Sequence, residues 1–434
     1  MNGITGENFS PILVIGAGPA GLALASRMGS EATVIDQLNE VGGLSRSIEM
    51  GDGVFDIGGH SFHTPHSEVE KFVRGLPGLT LADQPRDARI WFAGEMIPYP
   101  FQHNFQKLTA NNVAAECQGH IVDQAALAQS RNFEDWIIRR FGKGISEYFM
   151  LPYNRKLWAR DLKTMSCDWV SERVATAKES PNSSTRQRQP LQGDSRVSYP
   201  VTGGFGEIFK SLAKTCHQIE LGQRVTSIDA KNRLVSTSSG KKWRYDKLVS
   251  TMPLPTLIAC LGEEDEIPGA LTKDLQAVSL KVLMLLVKLE NKNVPQRVYI
   301  ASSDVYAHKI AFNHTSSKSL SERTNHAIIC EVSYSEFKET PSDEDLVQNV
   351  VSWLIGNNYI FSKNALVTSR VIDVPFGYPV YSHNRSDIVS TLTGHLESKN
   401  IFSIGRFGSW NYANSDECIR QGLELARHFS GKSD

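Results

Sequence analysis

The sequence predicts an α/β fold: a Rossmann-type dinucleotide-binding domain with an inserted helical domain and an antiparallel-sheet domain. An apolar run, a glycine-rich turn and an alanine-rich stretch follow one another over residues 11–36. Helical periodicity with few strand signals extends from about 105 to 179, and alternating apolar runs such as VLMLLVKL fill about 277–371. The length of 434 residues is enough for about three such units.

The composition is that of a folded enzyme and restricts the possible partners. Apolar residues make up 40% of the chain and charged residues 21%, which excludes a mostly disordered protein. The 46 Lys and Arg nearly balance the 47 Asp and Glu, for a net charge of -1. No global field therefore attracts nucleic acid or an anionic membrane, and we expect neither as a partner. Any anion site must be local.

Cysteine usage and the N-terminus predict a cytoplasmic location. The six cysteines are far apart and form no CxxC pair, which argues against a disulfide framework or a structural zinc site. The N-terminal MNGITGENFS has no basic or apolar segment of a signal peptide. No uninterrupted apolar run reaches the roughly 18 residues of a membrane span.

The first motif predicts dinucleotide binding. Gly16, Gly18 and Gly21 form GxGxxG between an apolar strand and a helix, where the glycines allow a tight turn, close approach of a pyrophosphate and close helix packing. Asp36 follows twenty residues after Gly16, where a carboxylate accepts hydrogen bonds from ribose hydroxyls. The alternative is a glycine turn that serves packing alone. The predicted nucleotide-binding residues here are Gly16, Gly18, Pro19, Ala20, Gly21 and Asp36.

A polar segment, PNSSTRQRQPLQGDSR over 181–196, predicts a mobile loop because it lacks apolar periodicity. After it, a turn into a helix and further strands predict a return to the first domain. The predicted division is a first domain in three pieces (1–104, 196–262 and 398–434), an inserted helical domain with the loop (105–195) and an antiparallel-sheet substrate domain (263–397).

The segments that follow Asp36 carry a family resemblance. EVGGLSR over 40–46 and the hairpin-like SIEMGDGVFDIGGH resemble the FAD-binding start of the flavoproteins that include amine oxidases, protoporphyrinogen oxidase and UDP-galactopyranose mutase. Five further segments resemble the UDP-galactopyranose mutase family in particular. They are IPYPFQHN (97–104), LPYNRKLWARDL (151–162), DWVSERVA (168–175), FGYPVY (376–381) and GRFGSWNYANSDE (405–417).

The resemblance implies an FAD-binding first domain and a redox-neutral isomerase. Such an enzyme interconverts pyranose and furanose forms of a nucleotide diphosphate sugar, through attack of N5 of reduced FAD on the anomeric carbon. The flavin must first be reduced by NAD(P)H or another reductant. Two alternatives stay open: an FAD-dependent oxidoreductase of the amine oxidase type, and a noncatalytic subunit that binds flavin or nucleotide sugar.

The resemblance also implies roles for individual residues. Toward FAD it adds Gly43, Leu44, Gly59, Val225, Arg406 and Asp416. Toward the substrate it implies Arg173, Tyr299, Tyr378 and Tyr412 at the diphosphate, and Asn154 and Trp158 in the active site. The alternatives without a functional role are a surface ion pair for Arg173 and core packing for the aromatic residues.

Two positions depart from the family. Lys309 stands where the family has an arginine on a mobile loop, and Asp194 stands near a family asparagine. Lysine is a point charge without the bidentate fork of arginine, so the nucleotide sugar can differ from UDP-galactose.

The loop around Gly59 contains three histidines in HxxHxxH spacing. The resemblance implies that His60 senses the redox state of the flavin. His60, His63 and His66 could ligate zinc if they lay on one helix, but glycines and Pro65 interrupt any helix there. We therefore predict no metal site.

Overall fold

The computed structural model describes residues 7–170, 174, 195–262 and 269–431. The strands are β1 (Asn8–Ile15), β2 (Ala32–Ile35), β3 (Ser47–Met50), β4 (Gly53–Asp56), β5 (Leu81–Pro85), β6 (Ala88–Phe92), β7 (Glu95–Pro98), β8 (Arg196–Pro200), β9 (Gln218–Glu220), β10 (Val225–Asp229), β11 (Leu234–Thr237), β12 (Lys242–Ser250), β13 (Ala277–Val287), β14 (Arg297–Ile300), β15 (Lys309–Phe312), β16 (His326–Tyr334), β17 (Leu366–Pro379) and β18 (Ile401–Ser403).

The helices lie between groups of these strands. They are α1 (Pro19–Met28), α2 (Ser67–Arg74), α3 (Phe101–Asn104), α4 (Asn111–Cys117), α5 (Gln124–Ala128), α6 (Phe133–Ile145), α7 (Leu151–Trp158), α8 (Glu207–Ala213), α9 (Leu254–Leu261), α10 (Gly269–Thr272), α11 (Lys318–Ser321), α12 (Asp343–Gly356), α13 (Arg385–Ser398), α14 (Gly405–Gly408) and α15 (Ser415–Phe429). Within the described ranges, no helix combines the length and apolarity that crossing a membrane requires.

The first sheet has the order β10-β11-β12-β1-β2-β9, and β18 also pairs with β12. Strand β1 is parallel to both β2 and β12, as the predicted βαβ unit requires. Helices α1 and α15 pack closely against each other, since a Cβ on Gly422 of α15 would lie 2.3 Å from the carbonyl oxygen of Ala20 in α1. The carboxyl ends of β1, β2 and β12 therefore meet at one edge.

The second sheet has the order β17-β13-β16-β15-β14-β6-β7 and is antiparallel except for the pair β14 and β6. With the first sheet, it confirms the predicted combination of a Rossmann-type α/β domain and an antiparallel sheet. Strands β6 and β7 come from the segment 1–104 that the sequence analysis assigns to the first domain. In the structure, these strands belong to the second sheet, because β6 pairs with the remote β14, with Ala88 opposite Arg297. The domain boundaries themselves remain a prediction.

The inserted segment is helical where it is described. Helix α6 continues through a π-helical turn, Ser146–Met150, into α7. Phe133, Trp136, Phe149 and Trp158 from this segment pack in one hydrophobic core with residues of β13 and β17. Of the loop predicted as mobile, residues 181–194 lie outside the described residues, and Arg196 begins β8.

A stacked pair of buried histidines lies where β16 begins. The rings of His314 and His326 are 4.6 Å apart between centroids, with planes inclined by 16°. Their ring nitrogens have no hydrogen-bond partner among the described residues. Burial lowers the pKa of His314 to about 4, and the neighbouring His326 acts in the same direction. Folding therefore requires that this imidazole be neutral.

The histidine pair predicts a loss of stability in mild acid. The folded pKa of His314 is depressed, so its contribution is present above the unfolded pKa near 6.5 and is lost as the pH falls toward 4. We expect His314→Phe to remove up to about 3 kcal/mol of this pH dependence, measured by urea unfolding at several pH values between 7.5 and 4. The exposed His217→Phe serves as the control and should keep the wild-type dependence. Equal slopes in both variants would contradict the assignment.

Candidate active site

A cavity of about 930 Å³ lies at the carboxyl edge of the first sheet and extends to the second sheet. Ile15 at the end of β1, Asp36 after β2 and Thr251 after β12 line its first part. Arg297, Tyr299 and Lys309 from β14 and β15 line its second part. In α/β sheets, ligands bind beyond the carboxyl ends of parallel strands, so this is the expected position of a dinucleotide.

The three glycines of the first motif serve different purposes. A Cβ on Gly16, whose φ is +110°, would lie 1.9 Å from Oγ1 of Thr251, and one on Gly21 would lie 2.1 Å from the carbonyl oxygen of Gly16. These two glycines therefore allow the turn and the packing of α1. A Cβ on Gly18 would meet no atom within 4 Å, although Gly18 lines the cavity. Gly18 thus leaves open space in front of the amino end of α1, where an anion would bind.

Asp36 holds the glycine turn and also faces the cavity. Its Oδ2 accepts a hydrogen bond from the Ala17 amide at 2.6 Å, and its Oδ1 accepts one from the Leu38 amide at 2.7 Å. Burial raises the pKa of Asp36, while these amides and Arg46 oppose the shift. Val225 lines the same end of the cavity, which suits an adenosine group.

Arg406 and Asp416 border the middle of the cavity. Nε of Arg406 donates to the Ala413 carbonyl at 2.6 Å, and its guanidinium lies 5.2 Å from the centre of the Tyr412 ring. Asp416 is in the first turn of α15 and is buried. We call the part of the cavity formed by residues 16–20 and Asp36 the cradle. Gly43, with φ +54°, brings its turn close to the cradle, because a Cβ there would lie 3.5 Å from Cα of Gly18.

These features fit FAD. The cradle has room in front of Gly18, amide donors at the start of α1 and a ribose acid at Asp36, as a dinucleotide with a pyrophosphate requires. Gly16, Gly18, Pro19, Ala20, Asp36, Gly43, Leu44, Gly59, Val225, Arg406 and Asp416 all line the cavity.

A buried carboxylate, Glu331 of β16, organises the other end of the cavity. Its Oε1 lies 2.6 Å from Nζ of Lys309 and accepts a hydrogen bond from the Gly59 amide at 2.9 Å. Its Oε2 accepts a hydrogen bond from the Tyr378 hydroxyl at 3.1 Å and lies 3.6 Å from Nε2 of His308. Burial alone would raise the pKa of Glu331, but Lys309 and His308 hold it well below its usual range. The carboxylate is therefore ionised and paired.

His60 lines the cavity as a neutral imidazole. Burial lowers its pKa to about 3, and Lys309 adds to the shift by charge repulsion. Its ring stacks on Phe205, with centroids 5.0 Å apart. At neutral pH this histidine can exchange hydrogen bonds with a ligand without carrying charge.

Two arginines, the buried Arg86 and the partly buried Arg297, accompany Lys309. Arg86 is 6% exposed, and its Nη2 donates to the Tyr299 hydroxyl at 3.1 Å while its guanidinium lies 4.6 Å from the centre of the Tyr99 ring. Nε and Nη1 of Arg86 have no hydrogen-bond partner among the described residues. Arg297 donates to Oγ of Ser61 at 3.0 Å, and burial lowers its pKa. Both arginines line the cavity and can bind an anion.

Three hydrogen bonds donated by Lys156, which we call the Lys156 clamp, support this end of the cavity. Lys156 of α7 is buried, and its Nζ donates to three carbonyl oxygens in the connection 300–305 at 2.6 to 3.3 Å. Tyr299 and Lys309 flank that connection and lie opposite each other in the β14–β15 pair. The clamp therefore connects the helical segment to two residues of the cavity wall.

The predicted substrate residues divide into three groups. His60, Tyr299, Lys309 and Tyr412 line the cavity. Asn154, Trp158 and Tyr378 are not among the lining residues: the side chain of Asn154 donates to the Met150 carbonyl just before α7, and Trp158 is buried against Tyr378 and Tyr412. Of the predicted cofactor residues, Gly21 does not line the cavity. Arg173 and Asp194 lie outside the described residues.

The structure corrects the surroundings expected for Lys309. The resemblance implies a mobile loop at this position, but Lys309 is the first residue of β15 and pairs with Glu331. Sequence reasoning also missed Glu331, Arg86, Arg297 and Tyr99. A single acid within the apolar run AIICEVSY was a usable signal for Glu331, because an unpaired buried carboxylate is too costly to persist. The two arginines carried no comparable signal.

Comparisons with known proteins agree with this geometry. Residues 19–397 match the family of flavin-containing amine oxidoreductases, and the chain belongs to that family. It is therefore a member of a flavin-dependent enzyme family.

Solved structures extend over nearly the whole chain. The structure of reduced UDP-galactopyranose mutase is similar at 25% identity with a TM-score of 0.85, over 98% of this chain and 96% of that chain. Putrescine oxidase bound to putrescine is 15% identical with a TM-score of 0.68, over 98% and 100%. Cyclohexylamine oxidase from Brevibacterium oxydans is 15% identical with a TM-score of 0.67, over 98% and 99%. The two oxidases share the fold.

The cradle geometry predicts different results for two glycine substitutions. Gly18→Val should leave a folded protein that does not retain flavin, since its side chain would fill the space in front of α1. Gly21→Val should unfold the protein or strongly lower its melting temperature, because its Cβ would overlap the Gly16 carbonyl. Absorbance near 450 nm, roughly where oxidised flavin absorbs, and thermal unfolding distinguish the two results. A yellow Gly18→Val protein would exclude this cradle as the cofactor site.

The buried ion pair predicts a nonadditive loss of stability. Glu331→Gln should cost about 3–5 kcal/mol, because it leaves the charge of Lys309 without its counterion in a buried site. The double variant Glu331→Gln with Lys309→Met removes both charges and should recover part of that loss. Urea unfolding at pH 7 measures the free energy of unfolding of wild type, both single variants and the double variant. Strictly additive losses would show that the pair is not coupled.

Proposed function

We propose that this protein is an FAD-dependent, redox-neutral mutase that interconverts pyranose and furanose forms of a nucleotide diphosphate sugar. Two lines of evidence support the proposal. The motifs and the fold resemble UDP-galactopyranose mutase over nearly the whole chain. The charge of the cavity suits an anionic substrate.

The cavity charge is the observation that carries the proposal. Among the described residues that line it, six are Lys or Arg and three are Asp, namely Arg46, Arg86, Arg224, Arg297, Lys309 and Arg406 against Asp36, Asp373 and Asp416. At the second sheet, Arg86, Arg297 and Lys309 lie beside phenol groups, which can donate hydrogen bonds to phosphate oxygens. Because Glu331 neutralises Lys309, the charges of Arg86 and Arg297 remain in excess here and would repel a protonated amine, the substrate of an amine oxidase.

The side chains of the cavity have distinct tasks in this reaction. Arg86 lines the cavity as a cation suited to phosphate oxygens, and the hydroxyls of Tyr299 and Tyr412 add neutral donors. These groups would bind the diphosphate in the substrate, stabilise it as it leaves and keep it near for the return reaction. We assign Arg173 to the same group by resemblance. Asn154 and Trp158 would support the sugar end from behind the cavity wall.

Lys309 and His60 set the charge near the reacting atoms. Lys309 is held by Glu331, so its position is fixed although lysine lacks the fork of arginine. His60 is neutral and adds no further positive charge. Reduced FAD, when bound, supplies the electron pair of a ring nitrogen that attacks the anomeric carbon. No electrons pass permanently to the sugar, so a reductant such as NAD(P)H is needed only to prepare the flavin.

The proposal is tested by incubating reduced, FAD-loaded protein with UDP-, GDP- and dTDP-sugars and separating the products by chromatography. We expect one nucleotide sugar to yield an isomer of equal mass without oxygen consumption, and oxidised protein to be inactive. Arg86→Met should weaken binding of that nucleotide sugar by about 2–5 kcal/mol. The matched Arg89→Met removes a half-exposed arginine that pairs with Asp87, and it should bind normally. Stoichiometric oxygen consumption with an amine would instead identify an oxidase.

A further inference from the structure

A second buried carboxylate, Asp56, lies behind the cavity wall. It ends β4, four residues before His60, and is 0% exposed. Its Oδ1 accepts hydrogen bonds from Oγ of Ser47 at 2.6 Å and from the Phe205 amide at 3.0 Å. Its Oδ2 accepts one from the Tyr199 hydroxyl at 2.7 Å. One side chain thus joins β3, β8 and the turn before α8.

Close contacts make this junction rigid. Oγ of Ser47 also accepts a hydrogen bond from the Gly206 amide at 2.8 Å. A Cβ on Gly204 would lie 2.3 Å from Oγ of Ser47, and one on Gly206 would lie 2.6 Å from the Ser47 amide nitrogen. The glycine turn 203–206 therefore lies directly on the β3–β4 hairpin, and Phe205 has little freedom to move.

The ring of Phe205 connects this rigid junction to the cavity. It stacks on the His60 ring, with planes inclined by 25°, and both residues line the cavity. Nδ1 of His60 has no hydrogen-bond partner among the described residues, so packing against Phe205 contributes strongly to its orientation.

We propose that Asp56 is a positioning residue that, through the Phe205 amide and ring, fixes the His60 imidazole in the flavin cavity. Asp56 touches neither the cavity nor His60, and it acts by holding the turn that carries Phe205. The proposal requires the flavin of the family but not the mutase activity.

The protonation of Asp56 provides a readout specific to this role. Burial raises its pKa to about 6, while Ser47, Tyr199, Phe205 and Arg297 oppose the shift. Of the titratable groups around it, Tyr199 of β8 has a pKa well above its usual value, and His60 has one of about 3. Arg297 of β14 contributes a positive charge. Near pH 6 the carboxylate therefore changes from a group that accepts three hydrogen bonds to one that must donate one.

The experiment compares the visible absorbance spectrum and the midpoint potential of bound flavin in purified holoprotein between pH 5 and 8. The variants are Asp56→Asn, Asp56→Ala, Phe205→Leu and the double variant Asp56→Ala with Phe205→Leu. Leu354→Ala, a cavity-creating change in a core cluster that does not line the site, is the control for lost stability.

The expected results distinguish a positioning role of Asp56 from a general loss of protein stability. Wild type should show a spectral step near pH 6 that is absent in Asp56→Asn, whose neutral amide keeps the shape but donates from one end and should therefore give the low-pH spectrum at every pH. Asp56→Ala and Phe205→Leu should each shift the spectrum and the potential, and the double variant should show no further shift because both act through one contact. Leu354→Ala should lower the melting temperature without a spectral change.

Three results would overturn the proposal. They are a pH step that persists in Asp56→Asn, additive shifts in the double variant, or a Phe205→Leu spectrum identical to wild type. Should Asp56→Ala fail to fold, Asp56→Asn and Phe205→Leu still decide the question. If the flavin responds as expected but no nucleotide sugar is converted, the mutase proposal fails while this one holds.

Discussion

The ion pair between Glu331 and Lys309 is the interaction on which the cavity depends. It joins two strands of the second sheet and, through the Gly59 amide, the loop that follows the β3–β4 hairpin. A buried carboxylate is costly unless its oxygens are fully used, and here Tyr378 also donates to it. The same contacts that neutralise the carboxylate therefore determine where Lys309, Gly59 and Tyr378 lie.

This arrangement leaves the cavity positively charged. Glu331 is occupied by Lys309, whereas neither Arg86 nor Arg297 forms a salt bridge with a carboxylate among the described residues. Buried cations without counterions are unfavourable in the absence of a ligand, and a bound anion would relieve that cost. Part of the affinity for an anion therefore comes from removing the unfavourable electrostatic energy of these cations in the ligand-free protein.

The fold alone does not decide the chemistry. The oxidases and the mutase that resemble this chain share one architecture, and functions differ among proteins of one fold because of their sites. In this chain, side chains of β14, β15 and β16 together with Arg86 set the sign of the charge at the second sheet.

Local patterns in the sequence were sufficient to predict the dinucleotide half of the molecule. GxGxxG, Asp36 and the strands around them act over some twenty consecutive residues, and the α/β fold follows from them together with the apolar periodicity further along. The substrate half depended on tertiary structure. The pairing of β6 with β14 and the junction at Asp56 each join segments more than a hundred residues apart in the chain, and the strand position of Lys309 depends on its pairing with β14 and β16. Periodicity reports which face of an element is buried, but not which remote partner covers it, and only the folded chain brings these charges together.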